Sequence, residues 1–178
     1  IFLEVIVAPS FSEEALTILT KKKNLRLLQV SNISKRDYTS PKAKTVLGGL
    51  LIQDMDQQLL DGELKYVTNR RPSEKELEDL LFAWKVVKHT KSNAIAIAKD
   101  KCTTGVGPGQ VSRIWALENA IRQGGERIKD SVMASDAFFP FADCVEAAHK
   151  AGITASFNRA DLSMIRIRLM RPTSIILR

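Results

Sequence analysis

The stretch Ser135-Asp136-Ala137-Phe138-Phe139-Pro140-Phe141-Ala142-Asp143 holds the residue types best suited to recognising a ligand. Three of the chain's seven phenylalanines fall within it, with a carboxylate on either side. Phenylalanines usually belong to a core, yet a core loop has no need of flanking acids. An aromatic wall with fixed carboxylates suits a flat heterocycle bearing amine or amide donors. The segment follows the apolar run Val132-Met133-Ala134, so it is expected at a strand's C-terminal edge, where open α/β sheets bind ligands.

Other constellations carry less. Gly105-Val106-Gly107-Pro108-Gly109-Gln110 invites a phosphate-binding reading, but Gln110 stands where the dinucleotide fingerprint needs its last glycine. Pro108 also lacks the amide hydrogen that would face a phosphate. A tight strand-to-helix turn is the preferred reading. Lys88-His89 looks like a catalytic pair, but cations are expected at a helix C-terminus for dipole reasons, and His149 is read as a surface residue by the same logic. Cys102 and Cys144 lack the His, Glu and Cys-x-x-Cys neighbours of a zinc deaminase, so no metal is expected. Two cysteines also point, weakly, to a reducing compartment.

These residues need elements to hold them. Ile1 to Val7 reads as a buried strand, Ser12-Glu13-Glu14 as a helix start, and Leu25 to Val30 as a second strand, a βαβ pattern. The chain has no initiator Met and is expected to continue upstream. Thr45 to Gln53 reads as one strand bent at Gly48-Gly49. Pro72 and Ser73 lead into a helix from about Glu74 to Lys88, whose Leu77, Leu80, Leu81, Trp84 and Val87 recur at helical spacing. Ala94 to Ala98 is a continuous apolar strand of the kind parallel sheets bury on both faces. A helix from about Val111 to Gln123, the strand 132–134, a helix from Asp143 to Lys150 and a strand start at Ile153 complete an α/β alternation. At 178 residues, 44% hydrophobic and 26% charged, the chain has room for a core and no apolar run of the ~20 residues a membrane helix needs.

Lys91-Ser92-Asn93-Ala94, Gly105 to Arg113 and Ser135 to Asp143 resemble, in order and spacing, three motifs of one family. It is the AICAR transformylase domain of the bifunctional purine-biosynthesis enzyme that is also an IMP cyclohydrolase, and the resemblance runs from about residue 1 to Ala155. It implies a three-layer, cytidine-deaminase-like α/β subdomain with a mostly parallel mixed sheet and without the deaminase zinc. Residues 1–67 would form a first part of the transformylase domain, 68–155 the second subdomain, and 156–178 a divergent tail.

The resemblance implies formyl transfer from 10-formyltetrahydrofolate, the co-substrate, to the 5-amino group of AICAR. Asn93, Arg113 and Asp143 are the implied catalytic residues. Asn93, Phe138 (through its backbone) and Asp143 would hold the carboxamide, and Ile114, Pro140 and Phe141 would line the folate pocket. The family's Lys-His pair would precede residue 1, and Lys88-His89 is not its equivalent. The chain alone is therefore expected to be inactive, and the resemblance further implies a cytoplasmic homodimer binding neither nucleic acid nor membrane. The alternatives are a basic nucleic-acid-binding module or a catalytically dead interaction protein.

After Ala155 the resemblance stops, where the family continues with Gln-Pro-Gly-Gly-Ser. Writing Phe157 to Ser163 as TTC AAC CGG GCG GAT CTA TCC and reading from the third base gives Gln-Pro-Gly-Gly-Ser-Ile. A frameshifted reading from about residue 156 is thus the expectation, with a divergent amphipathic tail as its alternative. It also bears on the net charge of +7, since residues 156–178 hold five arginines against one aspartate and leave +3 for residues 1–155. The basic composition then calls for no polyanion larger than a phosphorylated substrate and an anionic folate.

Overall fold

The computed structural model describes residues 2–35, 39–60, 64–161 and 164–169, with side chains to Arg159. The chain divides into two compact units, Ile1–Gln57 and Gln58–Arg178.

In the first unit, β1 (Val5–Ala8), α1 (Glu13–Leu19) and β2 (Arg26–Gln29) form the expected βαβ, with β1 and β2 parallel. Ser12 caps α1 by accepting from the Ala15 amide at 3.2 Å, and Glu13 and Glu14 face the helix's positive end. The apolar N-terminal strand is not buried within this chain: Val5 and Val7 are both more than two-fifths exposed, because no described side chain of the unit closes over them. The single bent strand expected over 45–53 is a hairpin instead, β3 (Lys42–Val46) against β4 (Gly49–Gln53). Gly48, at φ +80°, lets the chain reverse in two residues, which a merely bent strand does not require.

The second unit is one six-stranded sheet between helices. Its elements are β5 (Leu64–Tyr66), α2 (Glu74–Lys88), β6 (Ile95–Lys99), β7 (Cys102–Gly107), α3 (Arg113–Gly124), a 3-10 turn (Gly125–Ile128), β8 (Val132–Ser135), α4 (Asp143–Lys150), β9 (Ala155–Asp161) and β10 (Met164–Leu169). The strand order is β5-β10-β9-β8-β6-β7. The β5–β10 and β8–β9 pairs are parallel; β9–β10, β8–β6 and β6–β7 are antiparallel. The expected mixed α/β sheet is present but is not mostly parallel: two of its five described pairings are parallel, and the apolar run that suggested a parallel strand is antiparallel to both neighbours. What makes β6 apolar throughout is helices on both faces. Ala94, Ala96 and Ala98 meet Leu80, Ala83, Trp84 and Val87 of α2, whereas Ile95 and Ile97 meet Ala116, Leu117 and Ala120 of α3 and Cys144 and Ala148 of α4. The result is three layers.

The first unit ends ten residues earlier than the break expected between residues 67 and 68, because Leu59 and β5 are tied into the second unit. Trp84 Nε1 donates to the Leu59 carbonyl at 2.6 Å, and β5 pairs with β10. The start of the expected divergent tail is also in the sheet. Ser156 and Phe157 are fully buried in β9, and the Phe157 ring stands edge-on to Trp84 at a centroid distance of 4.9 Å.

Two carboxylates pin this unit. Glu76 completes a capping box with Ser73 and makes a two-pronged pair with Arg70 at 2.7 and 2.9 Å. Burial pushes the Glu76 carboxyl up, but the Arg70 and Ser73 bonds outweigh it and hold it down at about 2. A carboxyl depressed in the folded state stabilises fully above its ordinary value and loses that contribution as pH falls toward 2. With Arg70 36% exposed and so partly screened, the pair is worth ~1–2 kcal/mol. Glu76→Gln should therefore melt lower at pH 7 and flatten the fall in melting temperature between about pH 4.5 and 2. Identical acid melting profiles for the two proteins would count against this.

Asp79, buried on α2, accepts from the Asp100 and Lys101 amides at 3.0 and 2.7 Å. Those two residues form the β6–β7 turn, both at positive φ. Asp79→Ala strands two turn amides and should cost about 2–3 kcal/mol in chemical unfolding, with Asp79→Asn intermediate. An unchanged denaturant midpoint would refute that account.

Candidate active site

Because β6 runs antiparallel to β7 and β8, its N-terminal end lies beside their C-terminal ends. The starts of α3 and α4 follow from those ends, so one sheet edge gathers residues far apart in sequence. At this edge Asn93 and Gln110 exchange backbone bonds (3.3 and 3.2 Å), and Asn93 Nδ2 donates to the Gln110 carbonyl at 2.8 Å. The Gly109 amide donates to the Lys91 carbonyl at 2.6 Å, closing the turn after β7.

Arg113 opens α3, and Ser112 caps the helix through the Trp115 amide at 3.3 Å. The Arg113 side chain turns back over the edge. Its Nη1 pairs with Asp136 Oδ1 and donates to the Ala94 carbonyl at 3.3 Å. The same Asp136 oxygen accepts from the Ala94 amide at 2.9 Å. Both side chains of the pair are largely buried, at 10% and 17% exposed. The peptide after Asn93 and the Arg113 guanidinium thus share one carboxylate oxygen.

The loop after Asp136 carries the aromatic residues outward. Phe138 and Phe141 are 54% and 73% exposed, and Pro140 is exposed between them. Phe139 instead packs half-buried against the α3/α4 side of the core, as does Ile114. The aromatic cluster is therefore divided, one ring anchoring the loop and two facing solvent. Asp143 stands exposed at the start of α4, its Oδ1 accepting from the Cys144 amide at 2.7 Å. Burial, followed by the Asp143 charge, pushes the Cys144 thiol up to about 12, so it is no nucleophile. Arg113 acts on that thiol in the opposite sense, which puts the starts of α3 and α4 within electrostatic reach of each other.

The glycine-rich segment is not a phosphate loop. Gly105 and Gly107 lie within β7, and a Cβ on either would run into the carbonyl of Ala120 or Ala116 on α3. They are glycines because helix and strand touch there. The turn proper is 108–112, and the helix begins at Arg113, two residues later than expected. His89 and His149 are both exposed at helix ends. Among the described residues, no three His, Cys, Asp or Glu side chains converge as a metal would need. A cavity of about 460 Å³, lined by Ile121, Lys129 and Lys150 among others, lies at the opposite ends of α3 and α4.

Residues 1–123 match the AICARFT/IMPCHase bienzyme family. The chain belongs to that family. Among curated AICARFT/IMPCHase relatives, the bifunctional purine biosynthesis protein PurH of Caldicellulosiruptor bescii is 59% identical over 155 residues, and that of Acetivibrio thermocellus 60% over 160. The PurH of Bacillus thuringiensis is 57% identical over 156. Each match covers 87% of this chain, and the chain spans 30% of the relatives' length. Membership of the AICARFT/IMPCHase family does not by itself divide the two activities between parts of the chain. Of the residues at the sheet edge, Asp136 is the one that sequence reasoning passed over: as one of two acids flanking the phenylalanines it was visible, but its bonds to Ala94 and Arg113 depend on the antiparallel pairing of β6 with β8.

Proposed function

We propose that this chain is a segment of the formyltransferase of the bifunctional enzyme, moving a formyl group from 10-formyltetrahydrofolate to the 5-amino group of AICAR. The observation that carries this reading is the largely buried Asp136–Arg113 pair at the sheet edge, beside Asn93 and next to a loop presenting Phe138, Pro140 and Phe141. A fixed cation next to amide groups suits a carboxamide and a developing oxyanion. Exposed rings next to it suit a pterin.

The chemistry explains the design. The AICAR amine is a poor nucleophile, its lone pair being delocalised into the imidazole and carboxamide. Asn93 and Asp143 would hold the carboxamide so that the amine faces the formyl carbon, and positioning of this kind lowers barriers by ~7–11 kcal/mol at best. Arg113 would stabilise charge on the substrate side of the reaction. Ile114, Pro140 and Phe141 would seat the folate. Proton removal from the amine needs a base that none of these residues supplies, so the segment alone should not turn over. The working form is a cytoplasmic homodimer of the longer polypeptide.

The test exchanges residues 1–155 for the matched segment of the Caldicellulosiruptor bescii PurH. That chimera should formylate AICAR, while the isolated chain should not. In that chimera Arg113→Ala should cut formyl transfer and leave ring closure to IMP intact, which supports the formyltransferase reading. Loss of ring closure with formyl transfer intact overturns it.

A further inference from the structure

We infer that Asp136 is a positioning residue of this site: it aims the Arg113 guanidinium and fixes the peptide that presents Asn93. This rests on the formyltransferase reading and adds a residue to it.

The argument is in the sharing of one oxygen. Asp136 Oδ1 takes both the Ala94 amide and Arg113 Nη1, while the Asp136 amide and Arg113 Nη1 both donate to the Ala94 carbonyl at 3.3 Å. Ala94 is thereby held at both of its polar backbone groups. Its amide belongs to the peptide immediately after Asn93, and Asn93 is held on its other side by Gln110. Moving the Asp136 carboxylate would therefore shift both site residues at once. Arg113 meanwhile uses only Nη1 for its bonds among the described residues, so the rest of its planar fork stays free for a ligand. A lysine could not do both. The pair lies at the joint where β6 starts, β8 ends and α3 starts, and it is sealed enough for its geometry to be rigid.

The role differs from that of a plain structural ion pair in what its loss would do. On the chain itself, hydrogen exchange read on peptides covering 92–98 and 110–116 should speed up in Asp136→Ala. In Asp136→Asn, whose amide oxygen still accepts from Ala94 but no longer carries the charge that holds the Arg113 guanidinium, the 110–116 peptide should loosen more than 92–98. In the full-length enzyme, Asp136→Asn should lower kcat about tenfold or more with KM for AICAR changed less, as a misaimed group does. Its melting temperature should stay within a few degrees of the parent.

A double-mutant cycle gives the decisive comparison. If Asp136 acts through Arg113, its replacement in an Arg113→Ala background should add less than about threefold. Fully additive losses, or an Asp136→Asn enzyme with unchanged kcat, would overturn the inference. Should the parent full-length enzyme show no formyl transfer, the functional reading fails. The exchange pattern then decides the positioning role alone, with unchanged exchange in both peptides refuting it.

Discussion

Arg113→Ala in the full-length enzyme should lower kcat/KM for formyl transfer by about 10²–10³, the range seen when one preorganised donor to a developing charge is removed. The loss should fall mainly on kcat, because a group that stabilises the transition state more than the bound substrate acts there. Arg113→Lys should recover little: an ammonium cannot reach the Ala94 carbonyl and Asp136 Oδ1 as a planar fork does while leaving donors over for substrate. The alanine variant also leaves the Asp136 carboxylate largely buried without its cation. That change should cost about 3 kcal/mol of stability, so activity must be measured well below the variant's melting temperature. Steady-state kinetics at saturating folate, with AICAR varied, checks the prediction. A variant within threefold of the parent would remove Arg113 from the chemistry and with it the main support for the proposed function.

The second large effect concerns the fold that holds that arginine. Gly107→Ala should destabilise the Gln58–Arg178 unit by about 3 kcal/mol or more, a fall in melting temperature of roughly 10 °C. The new methyl would overlap the Ala116 carbonyl oxygen and its backbone neighbours, and backbone atoms cannot rotate aside as a side chain can. Relief requires lifting α3 from β7. That would open the contacts of Ile95 and Ile97 with Ala116, Leu117 and Ala120 and displace Arg113 at the helix start. Gly109→Ala is the control. Its φ of +64° penalises a side chain by about 1 kcal/mol, but the only close neighbour would be the flexible Lys91 side chain. Thermal unfolding followed by circular dichroism should separate the two variants clearly. Equal melting temperatures would mean that helix and strand can part at little cost.

Much of this was legible from local pattern, and the rest depended on neighbours remote in sequence. Capping chemistry and apolar spacing place α2 at Glu74–Lys88, because both signals lie within the helix itself. The apolar run 94–98 announces a strand buried on both faces but is silent on direction, since helices can cover an antiparallel strand as completely as a parallel one. Gly105 and Gly107 resemble a phosphate loop in sequence, and only the packing of α3 shows that they clear its carbonyls. At the candidate site, Asn93 and Arg113 were singled out by motif resemblance. Asp136 was in view from the start as an acid beside aromatic residues, and its partnership with Arg113 emerged only when three element ends met. Phe139 shows the same limit: its neighbours in sequence face solvent, while it anchors the loop.

The pairing of β5 with β10 bears on how this unit is made. Leu64, near the start of the unit, is registered with Ile165, almost at the far end, so the first of the six strands to leave the ribosome is the last to find a neighbour. Closing so long a stretch of chain delays the final pairing, and topologies of this kind fold slowly for their size. During synthesis β5 must wait with unpaired amides and carbonyls, which makes it a point of misassociation between nascent chains. The step that commits the sheet to its full width belongs to its last strand in chain order, and an interruption there leaves the earliest strand without a place.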